Sequence, residues 1–213
     1  MDGKWGKVYT VSEWIMRLAY VNLLWILFTA LGFVLLGFMP ATVAMFTVTR
    51  KWIQGNDHVP VFKLFWKTYR RDFFRANIMG LVLFAIGFIL FMDLRYIQDL
   101  EGILFEVVYY VLFIMGVMFL LTTLYIFPTI VFYDIKLFQI IKFSFLMAIT
   151  YPLRSTYMLA TALVVVYLNK SFTFLLPFFS GSLLCILLTS ISHRTFMKIQ
   201  EKTVAKNQTA KIT

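Results

Sequence analysis

Residues 18–49 read LAYVNLLWILFTALGFVLLGFMPATVAMFTVT, without a single charged side chain. About 20 consecutive apolar residues carry a helix across the hydrocarbon layer of a bilayer. Leu18–Phe38 is therefore long enough to span, whereas Ala41–Thr49 is too short for a second ordinary crossing. Pro40 has no N–H to give and crowds the preceding turn. The reading is a span that breaks near Pro40 and continues as a short helix to Arg50-Lys51-Trp52. Cleaved signal cores are shorter, about 7–15 apolar residues before a small-residue site. This run is longer and its spanning part ends in Phe38-Met39-Pro40, so it reads as a retained span.

The rest of the chain fits the same solvent. Of 213 residues, 61% are hydrophobic, 19% aromatic and only 14% charged. Soluble domains run at about 45–50% apolar and about 25% charged. A soluble fold of this size has too little interior for so much apolar surface. The fold class expected is an all-α membrane protein of about five transmembrane helices, forming one polytopic domain over residues 1–205. The spans expected are 18–38, 77–92, 107–131, 156–168 and 172–191, the last with Pro177 in its first turns. A basic tail at 206–213 is expected to be disordered.

Between the first two spans, Val61 to Arg75 has helical periodicity. Phe62, Phe65, Trp66, Tyr69 and Phe73 share one face, and Lys63, Lys67, Arg70 and Arg71 another. That pattern predicts a basic amphipathic helix lying in the membrane interface. Its residues Lys63, Trp66, Lys67, Arg70, Arg71 and Arg75 form the candidate face for a partner or for anionic lipid. Asp93 to Glu106 reads as an acidic loop, and Asp134–Thr150 as a second interfacial stretch.

The two halves look alike. Phe38-Met39-Pro40-Ala41-Thr42 corresponds to Ile126-Phe127-Pro128-Thr129-Ile130, Phe62-Lys63-Leu64-Phe65 to Lys136-Leu137-Phe138, and Arg75 with Met79 to Arg154 with Met158. This reads as a parallel internal repeat, with Pro40 and Pro128 as paired helix breaks.

The net charge of +10 would suggest nucleic acid in a soluble protein. Here the basic residues lie between apolar spans, so they read as cytoplasmic loops facing anionic lipid, with no nucleic-acid partner. Five spans with the N-terminus outside put fifteen Lys and Arg inside and five outside. A tight hairpin over Leu18–Thr49 would put the N-terminus inside and split them eighteen to two, but its length argues against it. Both arrangements leave the C-terminus cytoplasmic.

Motifs that carry catalysis are missing from the sequence: no Walker-type loop, no His-Glu-x-x-His, no Gly-x-Ser-x-Gly. His58 and His193 read as polar boundary residues. Cys185 is the only cysteine, so no internal disulfide can form. No charge lies near a span centre, which lowers the case for a proton or ion path. Asn22, Thr29, Thr122, Thr123, Thr161, Ser180 and Ser182 read as hydrogen-bonding groups between helices. The expectation is a protein that is not an enzyme and needs no cofactor or metal.

The run Glu13-Trp14-Ile15-Met16-Arg17-Leu18-Ala19-Tyr20-Val21-Asn22-Leu23-Leu24-Trp25 resembles the N-terminal signature of the YesL-type bacterial membrane proteins. Gly37-Phe38-Met39-Pro40-Ala41-Thr42, Arg50-Lys51-Trp52, and Phe65-Trp66-Lys67-Thr68-Tyr69 with Phe73, Phe74 and Asn77 continue the resemblance. The resemblance implies a Gram-positive cytoplasmic membrane and genes often placed beside carbohydrate ABC importers. It carries over no catalytic residue. The leading expectation is an accessory subunit that binds importer permease subunits. A stand-alone small transporter or channel, or a membrane regulator of a sensor kinase, are the alternatives.

Overall fold

The structure, a computed structural model, describes residues 4–172 and 176–209, with side chains over 9–172 and 178–199. Among the described residues the chain is all helical: α1 (Lys4–Leu31), α2 (Leu35–Ile53), α3 (Val61–Ile97), α4 (Ile103–Phe132), α5 (Leu137–Thr150), α6 (Pro152–Ser171) and α7 (Leu176–Thr209). Three helical segments are long and apolar enough to cross a membrane: Tyr9–Leu31, Val61–Ile97 and Ile103–Phe132. Helices α5 and α6 qualify together as a fourth, bent by 102°. Along α4, Leu104, Val107, Tyr110, Val111 and Ile114 are all more than half exposed. Such a surface is costly in water, at about 25 cal/mol per Å² of apolar area, and costs nothing against acyl chains.

The opening apolar run folds differently from its reading. The break falls at Gly32–Val34, and Pro40 lies inside α2. Pro128 likewise lies inside α4. Glycine decides the position of the turn. A Cβ on Gly32 would come within 2.3 Å of Gly37 Cα, and one on Gly37 within 2.4 Å of the Thr29 carbonyl oxygen. Only a glycine pair lets the two legs close that tightly. The turn satisfies its own backbone: Gly32 N–H donates to Phe28 O, Phe33 N–H to Ala30 O and Val34 N–H to Thr29 O.

Helices α1 and α2 then run antiparallel. Trp25 Nε1 donates to Thr42 Oγ1 at 3.0 Å, and Trp14 meets Trp52 edge-on at 6.0 Å. Arg17 forms an ion pair with Asp57 in the following loop at 3.2 Å. The Trp14–Arg17 stretch of α1 therefore lies beside the α2–α3 connection, the juxtaposition of the tight-hairpin arrangement and not one with the two at opposite ends. Helix α1 begins upstream of Arg17 and α2 continues through Ile53, so the hairpin uses more of the chain than residues 18–49, while α2 is not among the helices long and apolar enough to cross a membrane. Helix α2 is also sheathed by protein, with Ala41, Val43, Ala44 and Val48 buried.

Helix α3 corrects a second expectation. The basic helix and the second span are one helix of 37 residues. Nothing between Arg75 and Ile78 breaks a helix, so the hydrogen-bond ladder continues once nucleated. Asp93 and Arg95 are consequently helical, and the connection to α4 is short. The matching segment of the second half does break. Tyr151 precedes Pro152, and the residue before proline is pushed out of the helical region; its φ is −122° and ψ 63°. The halves thus differ at the joint between interfacial segment and span. Helix α7 continues through Thr209, so the tail expected to be disordered from 206 is helical that far; residues 210–213 lie outside the described ones.

Helix α7 closes the bundle. Buried Asn22 of α1 accepts hydrogen bonds from the Gly181 and Ser182 N–H groups through Oδ1, both at 3.1 Å. Thr49 of α2 lies 3.4 Å from Thr189. Phe132 and Tyr133 at the end of α4 pack on Phe196. Ser144 of α5 donates to Thr129 of α4 at 3.2 Å, and Ser155 of α6 to Tyr125 at 3.4 Å.

Candidate functional site

Helices α2 and α3 also run antiparallel. Asn77 of α3 meets Leu36 near the start of α2, while Arg50 and Lys51 at its end share a cleft with Leu64 and Lys67. The last turn of α4 closes the cleft with Ile130 and Val131. Its volume is about 260 Å³. Four cations line it, Arg50, Lys51, Lys67 and Arg71, against one carboxylate, Asp72.

Each charge is held differently. Arg71 grips Asp72 with two parallel hydrogen bonds, Nε to Oδ1 at 3.0 Å and Nη2 to Oδ2 at 2.7 Å. Asp72 itself is buried. A bidentate pair of this kind fixes the guanidinium plane as well as its charge. Arg50 bridges two helices: Nη1 donates to the Val131 carbonyl, and its guanidinium carbon stands 5.2 Å from the centre of the Phe132 ring. Burial lowers the Arg50 pKa, yet a guanidinium does not lose its proton in proteins. Among the described residues, the Lys51 and Lys67 ammonium groups meet no carboxylate within ion-pair distance.

The six residues read from sequence as one face separate here. Lys67 and Arg71 enter the cleft. Arg75 turns to the end of α4, donating to the Ile135 carbonyl and pairing with Asp134 at 3.2 Å. Trp66 packs on Phe28 at 5.5 Å and stacks on Tyr69. Lys63 and Arg70 are exposed, as Lys67 and Arg71 are, but do not line the cleft. The aromatic side of the helix is partly spoken for by protein, since Phe65 and Tyr69 are buried against Phe28. Arg50, Lys51 and Asp72 were not in that face. Asp72 had a signal, as the one carboxylate in a basic stretch. Arg50 and Lys51 had none beyond their sign, because the antiparallel return of α2 brings them there.

Pro40 is buried inside α2. Pro40 leaves the Leu36 carbonyl without its helical donor, and Asn77 Nδ2 supplies one at 3.0 Å. Among the described residues no three His, Cys, Asp or Glu side chains converge as a metal would require.

A bundle of long apolar helices, lipid-facing over much of its surface and charged where its helices end, defines a multi-pass helical membrane protein. The family described as "Protein of unknown function, DUF624" matches residues 18–94. The chain is 40% identical over 200 residues to the uncharacterized protein YteU of Bacillus subtilis (strain 168), covering 94% of this chain and 90% of that one. It is 37% identical over 189 residues to the uncharacterized protein YesL of the same organism, covering 89% of each. A third relative there, the uncharacterized protein YesV, is 43% identical over 89 residues, 42% of this chain and 43% of that one. The chain belongs to the DUF624 family, together with YesL and YteU. No solved structure matches it.

Proposed function

We propose that this chain is a non-catalytic accessory subunit of a carbohydrate ABC importer in a bacterial cytoplasmic membrane. Its α2–α3 connection, its first turn of α3 and the end of α7 face the cytoplasm, where short basic segments are retained. Anionic lipid surrounds that end.

The observation that carries the reading is the exposed surface on the first turns of α3, formed by Lys63, Arg70 and the outer sides of Phe62 and Trp66, whose inner sides rest on Phe28. Aromatic and arginine side chains are the residue types that anchor protein interfaces. The resemblance to YesL-type proteins supplies the importer as partner. A cavity for solute at Pro40 is disfavoured, because Asn77 already occupies the Leu36 carbonyl.

The test is purification of the tagged chain from native membranes in mild detergent, followed by mass spectrometry. Permease subunits should accompany it, and a Lys63→Glu, Arg70→Glu variant should lose them while remaining in the membrane. Recovery without permease subunits, with carbohydrate uptake unchanged on deletion of the gene, would overturn the reading.

A further inference from the structure

We propose that the cleft between α2, α3 and α4 is a binding site for a phosphate group, held by Lys51, Lys67 and Arg71. The site goes beyond the importer reading and stands whether or not a permease docks nearby.

Four cations around one small cleft repel one another, and Asp72 offsets only one of them, leaving a surplus of three. Arg50 is already engaged by the Val131 carbonyl and the Phe132 ring. Lys51 and Lys67 face no carboxylate among the described residues. Two ammonium groups with three donors each therefore line a space that nothing in the bundle fills.

Geometry adds to this. Asp72 takes Nε and Nη2 of Arg71, which leaves Nη1 on the other edge as a donor. The pair thus fixes the guanidinium plane while leaving donors for a second acceptor. Val43, Leu64, Ile130 and Val131 form apolar walls, and a low-dielectric wall strengthens attraction across the cleft. A volume of about 260 Å³ exceeds that of several waters at roughly 30 Å³ each, so a tetrahedral anion fits. A phosphate group matches the surplus better than a carboxylate: as a monoester it carries close to two charges near neutral pH and three acceptor oxygens. The group could belong to a lipid headgroup or to a soluble phosphate, and the experiment separates them.

The delipidated protein in uncharged detergent is titrated with inorganic phosphate, and separately with phosphatidic acid, a phosphate monoester, or phosphatidylcholine in mixed micelles, with bound species read by native mass spectrometry. The site predicts saturable binding of one phosphate group per chain. Retention of phosphatidic acid over phosphatidylcholine, undisplaced by inorganic phosphate, assigns it to a lipid headgroup. Binding or displacement by inorganic phosphate, but not by acetate, assigns it to a soluble phosphate. Lys51→Gln with Lys67→Gln should weaken binding at least about tenfold, the scale of a lost charged hydrogen bond. Lys63→Gln with Arg70→Gln removes the same charge outside the cleft and should change it less than about twofold. The Lys51→Arg, Lys67→Arg variant should bind like the parent, which separates lost charge from lost folding. Equal loss in both glutamine pairs, displacement by acetate as effective as by phosphate, or no saturable binding would overturn the proposal.

Discussion

Asn77 on α3 gives its Nδ2 hydrogen bond to the main-chain carbonyl of Leu36 on α2, 3.0 Å away and four residues before Pro40. That carbonyl is the one Pro40 cannot serve, so a side chain from the neighbouring helix completes the ladder. The same amide also donates to Phe73 O at 2.9 Å. Removing it leaves an outward-lying carbonyl unpaired where acyl chains offer no donor, at a cost of about 1 kcal/mol. Asn77→Ala should lower the melting temperature in detergent. In a Pro40→Ala background, where the substituted residue restores the backbone N–H, the loss of Asn77 should cost less. Equal cost in both backgrounds would separate Asn77 from the proline.

The glycine pair at the α1–α2 turn sets a sharper expectation. Gly37→Ala places a methyl group 2.4 Å from the Thr29 carbonyl and 2.7 Å from that of Phe28. Both obstacles are backbone, so the legs must separate. Losses above about 3 kcal/mol, or failure to accumulate in the membrane, are expected. Gly80→Ala meets only the flexible Met39 side chain at 2.4 Å, and should cost clearly less in the same thermal assay.

Asn22 ties α1 to the start of α7 through two N–H groups. Asn22→Leu keeps the bulk and removes the acceptor. About 1–3 kcal/mol should be lost, seen as faster hydrogen exchange at Gly181 and Ser182. Exchange unchanged at those two amides would show that other contacts hold α7.

The ion pair of Arg75 and Asp134 predicts an asymmetry. Asp134 is fully exposed, so Asp134→Ala should leave the melting temperature nearly unchanged, as solvent-screened pairs usually do. Arg75→Ala also removes the donor to the Ile135 carbonyl, and should lower it measurably. Equal shifts would mean that the exposed pair itself is the tie.

Much of this was legible in the residues, and the misses have identifiable causes. Apolar runs and charge gave the class and the positions of α4 and α6, since lipid leaves hydropathy little competition. Pro40 misled because a proline signals a break only where nothing else supplies the missing donor, and Asn77 comes from the next helix, far along the chain. Gly32 and Gly37, whose close approach sets the true turn at Gly32–Val34, look ordinary in a membrane helix, where glycine is common. The continuity of α3 was hidden by its change from amphipathic to apolar near Arg75, a change of environment along one helix instead of a change of structure. Of the cleft, Lys67 and Arg71 were visible in the periodicity. Arg50, Lys51 and Asp72 join them through pairing between helices, which periodicity within one segment does not encode.

The α1–α2 hairpin has an apolar, exposed tip, Phe33-Val34-Leu35, and its two legs bring Trp14 and Trp52 together at the other end. Single cysteines at Tyr9, Asn56 and Glu101, in a Cys185→Ser background, can be probed with a membrane-impermeant maleimide in intact and in opened cells. The hairpin predicts that Glu101→Cys reacts in intact cells, while Tyr9→Cys and Asn56→Cys react only once the cells are opened. Reaction of the Tyr9 and Asn56 positions from opposite sides of the membrane would contradict it.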